Sequence, residues 1–214
     1  MVKWNYGESY KKFPISKGEV YVEENTKSKV SIKDIFEEPP TYLKEADMVY
    51  IDPPWNTGNI NSFYTKAGIH IKRKYDDFLI RVLHYLKFIQ PKVIYTEIGK
   101  QNVDKVKNAL KETFPGKVIQ SWRITYYKKR PMYLVRVGDT EQIFDFTGYD
   151  DEETPNLAMK NENFNCVADF CLGRGLILET AYKLKKKCVG SELNDRRISV
   201  AIEKVNKLGG KWKK

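Results

Sequence analysis

Two neighbouring stretches, VADFCLGRG at residues 167–175 and CVGSELN at 188–194, constrain the fold more than any other part of the chain. Val167-Ala168-Asp169 reads as the end of a buried strand, and Gly173 and Gly175 then let the backbone turn and approach a ligand closely. Leu176 to Leu184 carries a helical pattern, and Cys188-Val189-Gly190 reads as the next strand. Such a unit lays two parallel strands in one sheet with the helix crossing over its face. The helix N-terminus presents unpaired N–H groups at the glycine turn. The second strand ends in an acid, Glu192, seventeen residues beyond Gly175. A carboxylate there is placed to accept from both hydroxyls of a ribose. Glycine loop, helix, strand and acid together point to a nucleoside ligand.

The identity of that ligand is narrowed by what the loop lacks. Residue 178 is Leu, so the dinucleotide pattern G-x-G-x-x-G is incomplete, and the chain contains no phosphate loop ending in Gly-Lys-Ser or Gly-Lys-Thr. An acid, Asp169, stands four residues before the first glycine. Beside a pyrophosphate its charge would repel; beside the ammonium and sulfonium of S-adenosylmethionine it attracts. The electrostatics favour a cationic nucleoside.

Strand and helix signals alternate elsewhere too. Val30-Ser31-Ile32 and Met48 to Ile51 read as short strands, the second buried. Phe78, Val82, Leu86 and Ile89 are spaced by four, four and three, one face of a helix over 76–89 that stops before Pro91. Val93-Ile94-Tyr95 is strand-like, and Val103, Val106 and Leu110 mark another helix. Residues 118–127 and 132–137 read as a hairpin interrupted by Lys128-Lys129-Arg130-Pro131. Residues 145–165, acidic and rich in Asn, read as a loop, and 195–208 as a last helix. The pattern is an α/β domain, mainly parallel, with helices on both faces, in a single unit over residues 1–214.

The buried run Met48 to Ile51 ends in DPPWNTGN. Two prolines fix backbone direction and add no N–H donor. They hold a carboxylate, Asp52, and an indole, Trp55, at the strand tip. An exocyclic amine on a nucleobase is a poor nucleophile, because its lone pair is delocalised into the ring. Two acceptors aimed at its hydrogens, the Asp52 carboxylate and the Pro53 carbonyl, favour the tetrahedral shape it needs to attack a methyl sulfonium. Pro54 stiffens the tip, and Trp55 offers a face on which an extruded base can stack, worth about 1–3 kcal/mol.

Composition sets the outer bounds. The 214 residues are 41% hydrophobic and 13% aromatic, which is globular, and 38 Lys and Arg against 28 Asp and Glu leave a net charge of +10. A basic surplus suits a polyanionic partner. Lys128, Lys129 and Arg130, flanked by Tyr126, Tyr127 and Tyr133, suit phosphates and unstacked bases. Three cysteines, Cys166, Cys171 and Cys188, and two histidines have no zinc-site spacing, so no metal is expected and the thiols read as reduced and buried. No apolar run is long enough to span a membrane, and Met1 to Tyr6 has no signal-peptide core, so a cytoplasmic protein is expected.

DPPW resembles the Asp/Asn/Ser-Pro-Pro-aromatic motif of the amino-methyltransferases. DFCLGRG resembles their cofactor loop, and GSELN, with Glu192 and Asn194, their acidic ribose-binding motif. The extension DPPWNTGN is similar to the opening found in DNA methyltransferases of type III restriction-modification systems. The catalytic motif precedes the cofactor loop by more than a hundred residues, the circularly permuted order of the β class of DNA amino-methyltransferases. KVSIKDIFE at 29–37 then fits the motif whose acid, Asp34, lies near the cofactor's adenine. The chain departs from the pattern at Cys171, where an aromatic is usual and where Phe170 comes one place early, and at Thr154-Pro155, in place of Lys-Pro.

The resemblance implies a Rossmann-like sheet that binds S-adenosylmethionine through Asp34, Asp169, Phe170, Cys171, Gly173, Gly175, Glu192 and Asn194. It implies methyl transfer to the N6 amine of an adenine flipped out of double-stranded DNA, through Asp52, Pro53, Pro54 and Trp55. Asp at the first motif position mostly accompanies adenine, Ser cytosine. Residues 128–165 bound the space for a target-recognition insertion. An RNA adenosine-N6 methyltransferase and an idle nucleic-acid-binding subunit are the alternatives. Homodimers and restriction or specificity partners occur among similar enzymes.

Overall fold

The apolar run Met48 to Ile51 is buried at all four positions, and its side chains divide between two faces. Val49 and Ile51 pack into one core, Met48 and Tyr50 into another. A short strand covered on both sides is what a parallel sheet between helical layers requires. The structure is a computed structural model describing residues 6–214; Met1 to Asn5, within the segment read above for a signal peptide, lie outside the described residues.

In chain order the elements are α1 (Ser9–Lys12), β1 (Val20–Glu23), β2 (Lys29–Ile32), β3 (Met48–Ile51), α2 (Thr57–Lys66), α3 (Tyr75–Ile89), β4 (Val93–Gly99), α4 (Val103–Thr113), β5 (Val118–Tyr126), β6 (Arg130–Gly138), α5 (Thr154–Asn161), β7 (Cys166–Asp169), α6 (Leu176–Lys183), β8 (Lys187–Glu192), α7 (Asp195–Lys207) and β9 (Trp212–Lys213). They build a nine-stranded sheet in the order β5-β6-β4-β3-β7-β8-β2-β1-β9. The α/β fold with helices on both faces is as expected: α3 and α4 lie on the face with Val49, and α5, α6 and α7 on the face with Tyr50. No helix among the described residues is long and apolar enough to cross a membrane.

The expected parallel order holds at the centre of a sheet that is mixed at its flanks. The five central strands, β4-β3-β7-β8-β2, are parallel. The hairpin β5–β6 joins one side antiparallel through β4, and β1 and β9 add antiparallel pairs at the other. Hairpin strands reverse by construction, so an edge built from one cannot continue a parallel order.

Helix ends follow their chemistry. α3 opens with Asp76 and Asp77 in its first turn and closes at Gln90 in the left-handed conformation, before Pro91. α2, which no apolar spacing announces, begins where the Asn56 side chain accepts from the Asn59 N–H. Residues 145–165 are not all loop: α5 occupies Thr154–Asn161, with Pro155 in its first turn and Ala158 and Met159 buried. A proline there is a start signal that the acidic composition concealed.

One ion pair lies deep in the β5–β6 side. Arg136 Nε donates to Glu162 Oε1 at 2.7 Å, with side chains 4% and 12% exposed, and the Tyr95 hydroxyl donates to the same oxygen at 2.7 Å. Breaking a buried pair leaves an uncompensated charge. Arg136→Met should therefore cost about 3–5 kcal/mol in urea denaturation, and adding Glu162→Gln to the same chain should recover part of that loss.

Candidate active site

β3 and β7 lie side by side, so their C-terminal tips open onto one cavity. The cavity holds about 520 Å³, within the range of small-molecule sites. Its lining includes Asp52 and Pro54 from the tip of β3, Asp34 after β2, and Asp169 to Gly173 from the glycine loop. Glu192 from β8, Glu97 from β4, Asp151 and Tyr126–Tyr127 complete the walls with Phe63 and Tyr64 of α2. Residues separated by well over a hundred positions meet because parallel strands end on the same edge.

The tip of β3 is held by its own tryptophan. The Trp55 indole N–H donates to Asp52 Oδ1 at 3.0 Å, and the Asn102 side chain donates to the Trp55 carbonyl at 2.7 Å. Gly99 at the end of β4 makes room for the ring: a Cβ there would lie 2.9 Å from Trp55 Cε3. Trp55 meets Tyr126 edge-on at 5.1 Å, and Tyr126 lies 4.3 Å from Tyr127, so three rings line up beside Asp52. Pro53 is buried and backs onto the apolar core below α3. The hairpin tip carries Tyr127 and Lys128 at φ 48° and 57°, a strained pair. Two neighbouring acids hold it: Asp151 accepts from the Tyr127 N–H at 3.0 Å and Asp150 from the Lys128 N–H at 2.6 Å. Lys128, Lys129 and Arg130 lie exposed at this tip, outside the cavity.

The other end is the glycine loop. Glu192 accepts from the Gly173 N–H at 2.8 Å and the Asn194 N–H at 3.0 Å, which fixes its carboxylate toward the loop. Asp169 accepts from the Cys171 N–H at 2.9 Å. Asp34 accepts from the Phe36 N–H at 3.0 Å and from the Tyr64 hydroxyl. Phe170, Cys171 and Gly173 line the cavity, while Gly175 does not. Gly175 instead sits at φ 76°, where a Cβ would come within 2.4 Å of Ala201 Cβ, so it lets α6 pack on α7. Asn194 also turns away: its side chain caps α7 through the Arg196 N–H and donates to the Lys66 carbonyl of α2. Cys166 and Cys188 are buried free thiols, and Cys171 is half-buried.

Motif and spacing assign no role to Glu97 or Asp151. Glu97 carries a signal all the same: it is an acid inside the otherwise apolar VIYTEIG strand, and it is 3% exposed. The Tyr50 hydroxyl donates to its Oε1 at 2.5 Å and the Thr154 hydroxyl at 3.2 Å.

Among the described residues Asp52, Asp169 and Glu97 form no ion pair, although Lys33, Arg174, Arg197 and Lys204 share the lining of the cavity. Asp52 is solvent-exposed at the tip of β3 where it lines the cavity; the protein packed about it pushes its pKa up to about 7, a rise that solvent access tempers, that the Trp55 bond and Arg197 oppose, and that Asp151 adds to. Burial likewise holds Asp169 well above the carboxylate range, opposed by the Cys171 N–H and reinforced by Glu192. Glu97 is raised by burial first and by Asp52 next. A cavity of this kind is built to accept positive charge.

No family model matches the chain, and no curated protein does. Solved structures match it in fold. The crystal structure of M1.HpyAVI has a TM-score of 0.57 at 13% identity, over 83% of this chain and 98% of that one. TTHA0409 of Thermus thermophilus, crystallised with S-adenosyl-L-methionine, has 0.56 at 14%, over 83% and 93%. The cytosine-N4-specific PvuII DNA methyltransferase has 0.55 at 10%, over 92% and 98%. At these identities the likeness establishes the α/β fold.

A raised carboxyl binds its proton more tightly folded than unfolded, so stability falls as pH rises from the ordinary value, 3.8 for Asp52, through about 7. Surface acids held low, such as Glu37 and Glu45, act oppositely but finish their effect below pH 4.5. Thermal melts of the unliganded protein should show the midpoint falling between about pH 5 and 7.5, and Asp52→Asn should flatten that fall.

Proposed function

We propose that this chain is an S-adenosylmethionine-dependent DNA methyltransferase acting on the N6 amine of an adenine extruded from the duplex. One observation carries the reading: Asp52 closes a parallel strand between an aromatic wall and a glycine loop, in a cavity with an excess of unpaired carboxyls. The donor set fits the cofactor. Glu192 at the tip of β8 suits a ribose, and Asp34, which follows the neighbouring strand β2 and lines the same cavity, suits the adenine end. Asp169 and Asp52 offer negative charge to a cation whose arrival would relieve the raised carboxyls. The M1.HpyAVI complex with S-adenosylmethionine, with a TM-score of 0.58 at 12% identity, supports the same ligand. Bound S-adenosylmethionine supplies an electrophilic methyl on a cationic sulfur.

The chain's own residues do the rest. Trp55 spends its N–H on Asp52 Oδ1, which fixes the carboxylate; among the described residues nothing bonds to Oδ2. Oδ2 is therefore available to accept from the amine and to take the proton it releases on methylation. The Pro53 carbonyl supplies the second acceptor, and its direction is set by the two rigid prolines. Tyr126 and Tyr127 line the cavity and give an extruded base a surface to stack on, which offsets unstacking, while Trp55, outside the lining, meets Tyr126 edge-on. Asp at position 52 favours adenine over cytosine. Lys128, Lys129 and Arg130 stand above the aromatic wall and suit the phosphates flanking the base. The order of the motifs along the chain fits the permuted β class.

Incubation with methyl-labelled S-adenosylmethionine should label adenine in duplex DNA, and Asp52→Ala should abolish the label while the protein still melts cooperatively. Label in RNA alone, or in cytosine, would contradict the substrate assignment, and no label in any nucleic acid would contradict the enzyme. Replacing Lys128, Lys129 and Arg130 with Ala should weaken DNA binding across sequences and lower the slope of log affinity against log salt by roughly two to three.

A further inference from the structure

Strands β3 and β4 run parallel in register, with Tyr50 beside Tyr95 and Ile51 beside Thr96. One step further along that register sets Asp52 beside Glu97. Both then project to the face that carries Tyr50 and Tyr95, whose rings stack at 5.8 Å. Asp52 has a task in the proposed reaction and Glu97 does not. Yet Glu97 lines the cavity, although only 3% of it is exposed. Its Oε1 is occupied by the Tyr50 and Thr154 hydroxyls. Among the described residues nothing bonds to Oε2, and that atom is not among the buried polar atoms sealed without a partner. Oε2 therefore opens to the cavity.

The electrostatic neighbours of Glu97 tell which end of the cavity it serves. They are Asp52 and Asp151, and Asp151 holds the hairpin tip that carries the aromatic wall. Those of Asp169 are Glu192 and Asp52. Asp52 thus stands in the middle, with the glycine loop on one side and Glu97 on the side of Trp55, Tyr126 and Tyr127. Burial first, then Asp52 and Asp151, raises the Glu97 carboxyl well above the usual carboxylate range and favours its protonated form, which has an O–H to give.

An adenine presents, next to its exocyclic amine, a ring nitrogen that accepts a hydrogen bond. The complement of that edge is an acceptor beside a donor. We propose that Glu97 donates through Oε2 to N1 of the target adenine, so that Asp52 and Glu97 together read one donor–acceptor edge of the base. The assignment rests on the reading above, that the cavity takes an extruded adenine. It makes Glu97 a base-reading residue: guanine and thymine place an N–H at the matching ring position and would meet the Glu97 O–H head on. Cytosine shares the adenine pattern, and the pair of acids does not separate those two.

The test compares a duplex carrying the target adenine with one carrying 1-deazaadenine, in which a C–H replaces N1. The proteins are the full wild-type chain and its Glu97→Met, Glu97→Ala and Glu97→Gln variants, each checked for folding by thermal melting. The wild type should lose about tenfold in kcat/KM on the analogue. Glu97→Met should lose about tenfold on adenine and nothing further on the analogue, and Glu97→Ala serves the same purpose if the first variant does not fold. Glu97→Gln, which keeps an acceptor for Tyr50 and an N–H for the base, should retain the preference for adenine over the analogue. Equal analogue losses in the wild type and the removal variants would overturn the proposal, as would an unimpaired wild type on the analogue. A wild type that methylates no duplex at all would instead overturn the parent reading, before any variant is compared.

Discussion

Everything at the candidate site depends on the pairing of β3 with β7. Met48 lies beside Val167 and Val49 beside Ala168, joining segments far apart in the chain. The Asp47 carboxylate fixes the register from below, accepting from the backbone N–H groups of Asn165 and Cys166 at 3.0 Å. Because side chains alternate with period two, a slip of one residue would exchange the faces of Tyr50 and Ile51 and carry Asp52 out of the cavity. With the register held, the tip bearing Asp52 and the loop bearing Asp169 open on the same edge.

That edge concentrates negative charge that the fold itself does not neutralise. Surface acids elsewhere are paired with lysines, as Glu45 is with Lys29 and Lys187, and burial there is modest. In the cavity Asp52, Glu97 and Asp169 instead rely on hydrogen bonds from Trp55, Tyr50, Thr154 and the Cys171 N–H. Such bonds satisfy lone pairs but leave the charge, and the carboxyls respond by holding protons. A site that costs stability when empty and ionised is poised to gain from a cationic ligand.

Much of this is legible in the residue order, and the misses have physical causes. The helix over 75–89 announces itself through its apolar spacing, because one face meets the core and the other meets water. β1 and β9 escape notice because strands of four and two residues need partners more than they need pattern. α5 is hidden by the acids before it, two of which, Asp150 and Asp151, hold the hairpin tip. Motif order groups Gly175 and Asn194 with the cofactor residues, yet their side-chain positions serve helix packing and capping. Glu97 is visible as a lone acid in an apolar strand, but nothing local says which face of the sheet it takes.

Residue order alone sets the local chemistry. Proline fixes the backbone around Asp52, glycine permits the turn at 173–175, and alternation of strand and helix signals requires a covered sheet. Those properties belong to single residues and short windows. Only the folded chain settles which tips share an edge, how the hairpin extends the sheet, and which acids stand together without an ion pair. Neighbourhood across a sheet and the dielectric around a carboxyl are set by residues far away along the chain, so no short window of it contains them.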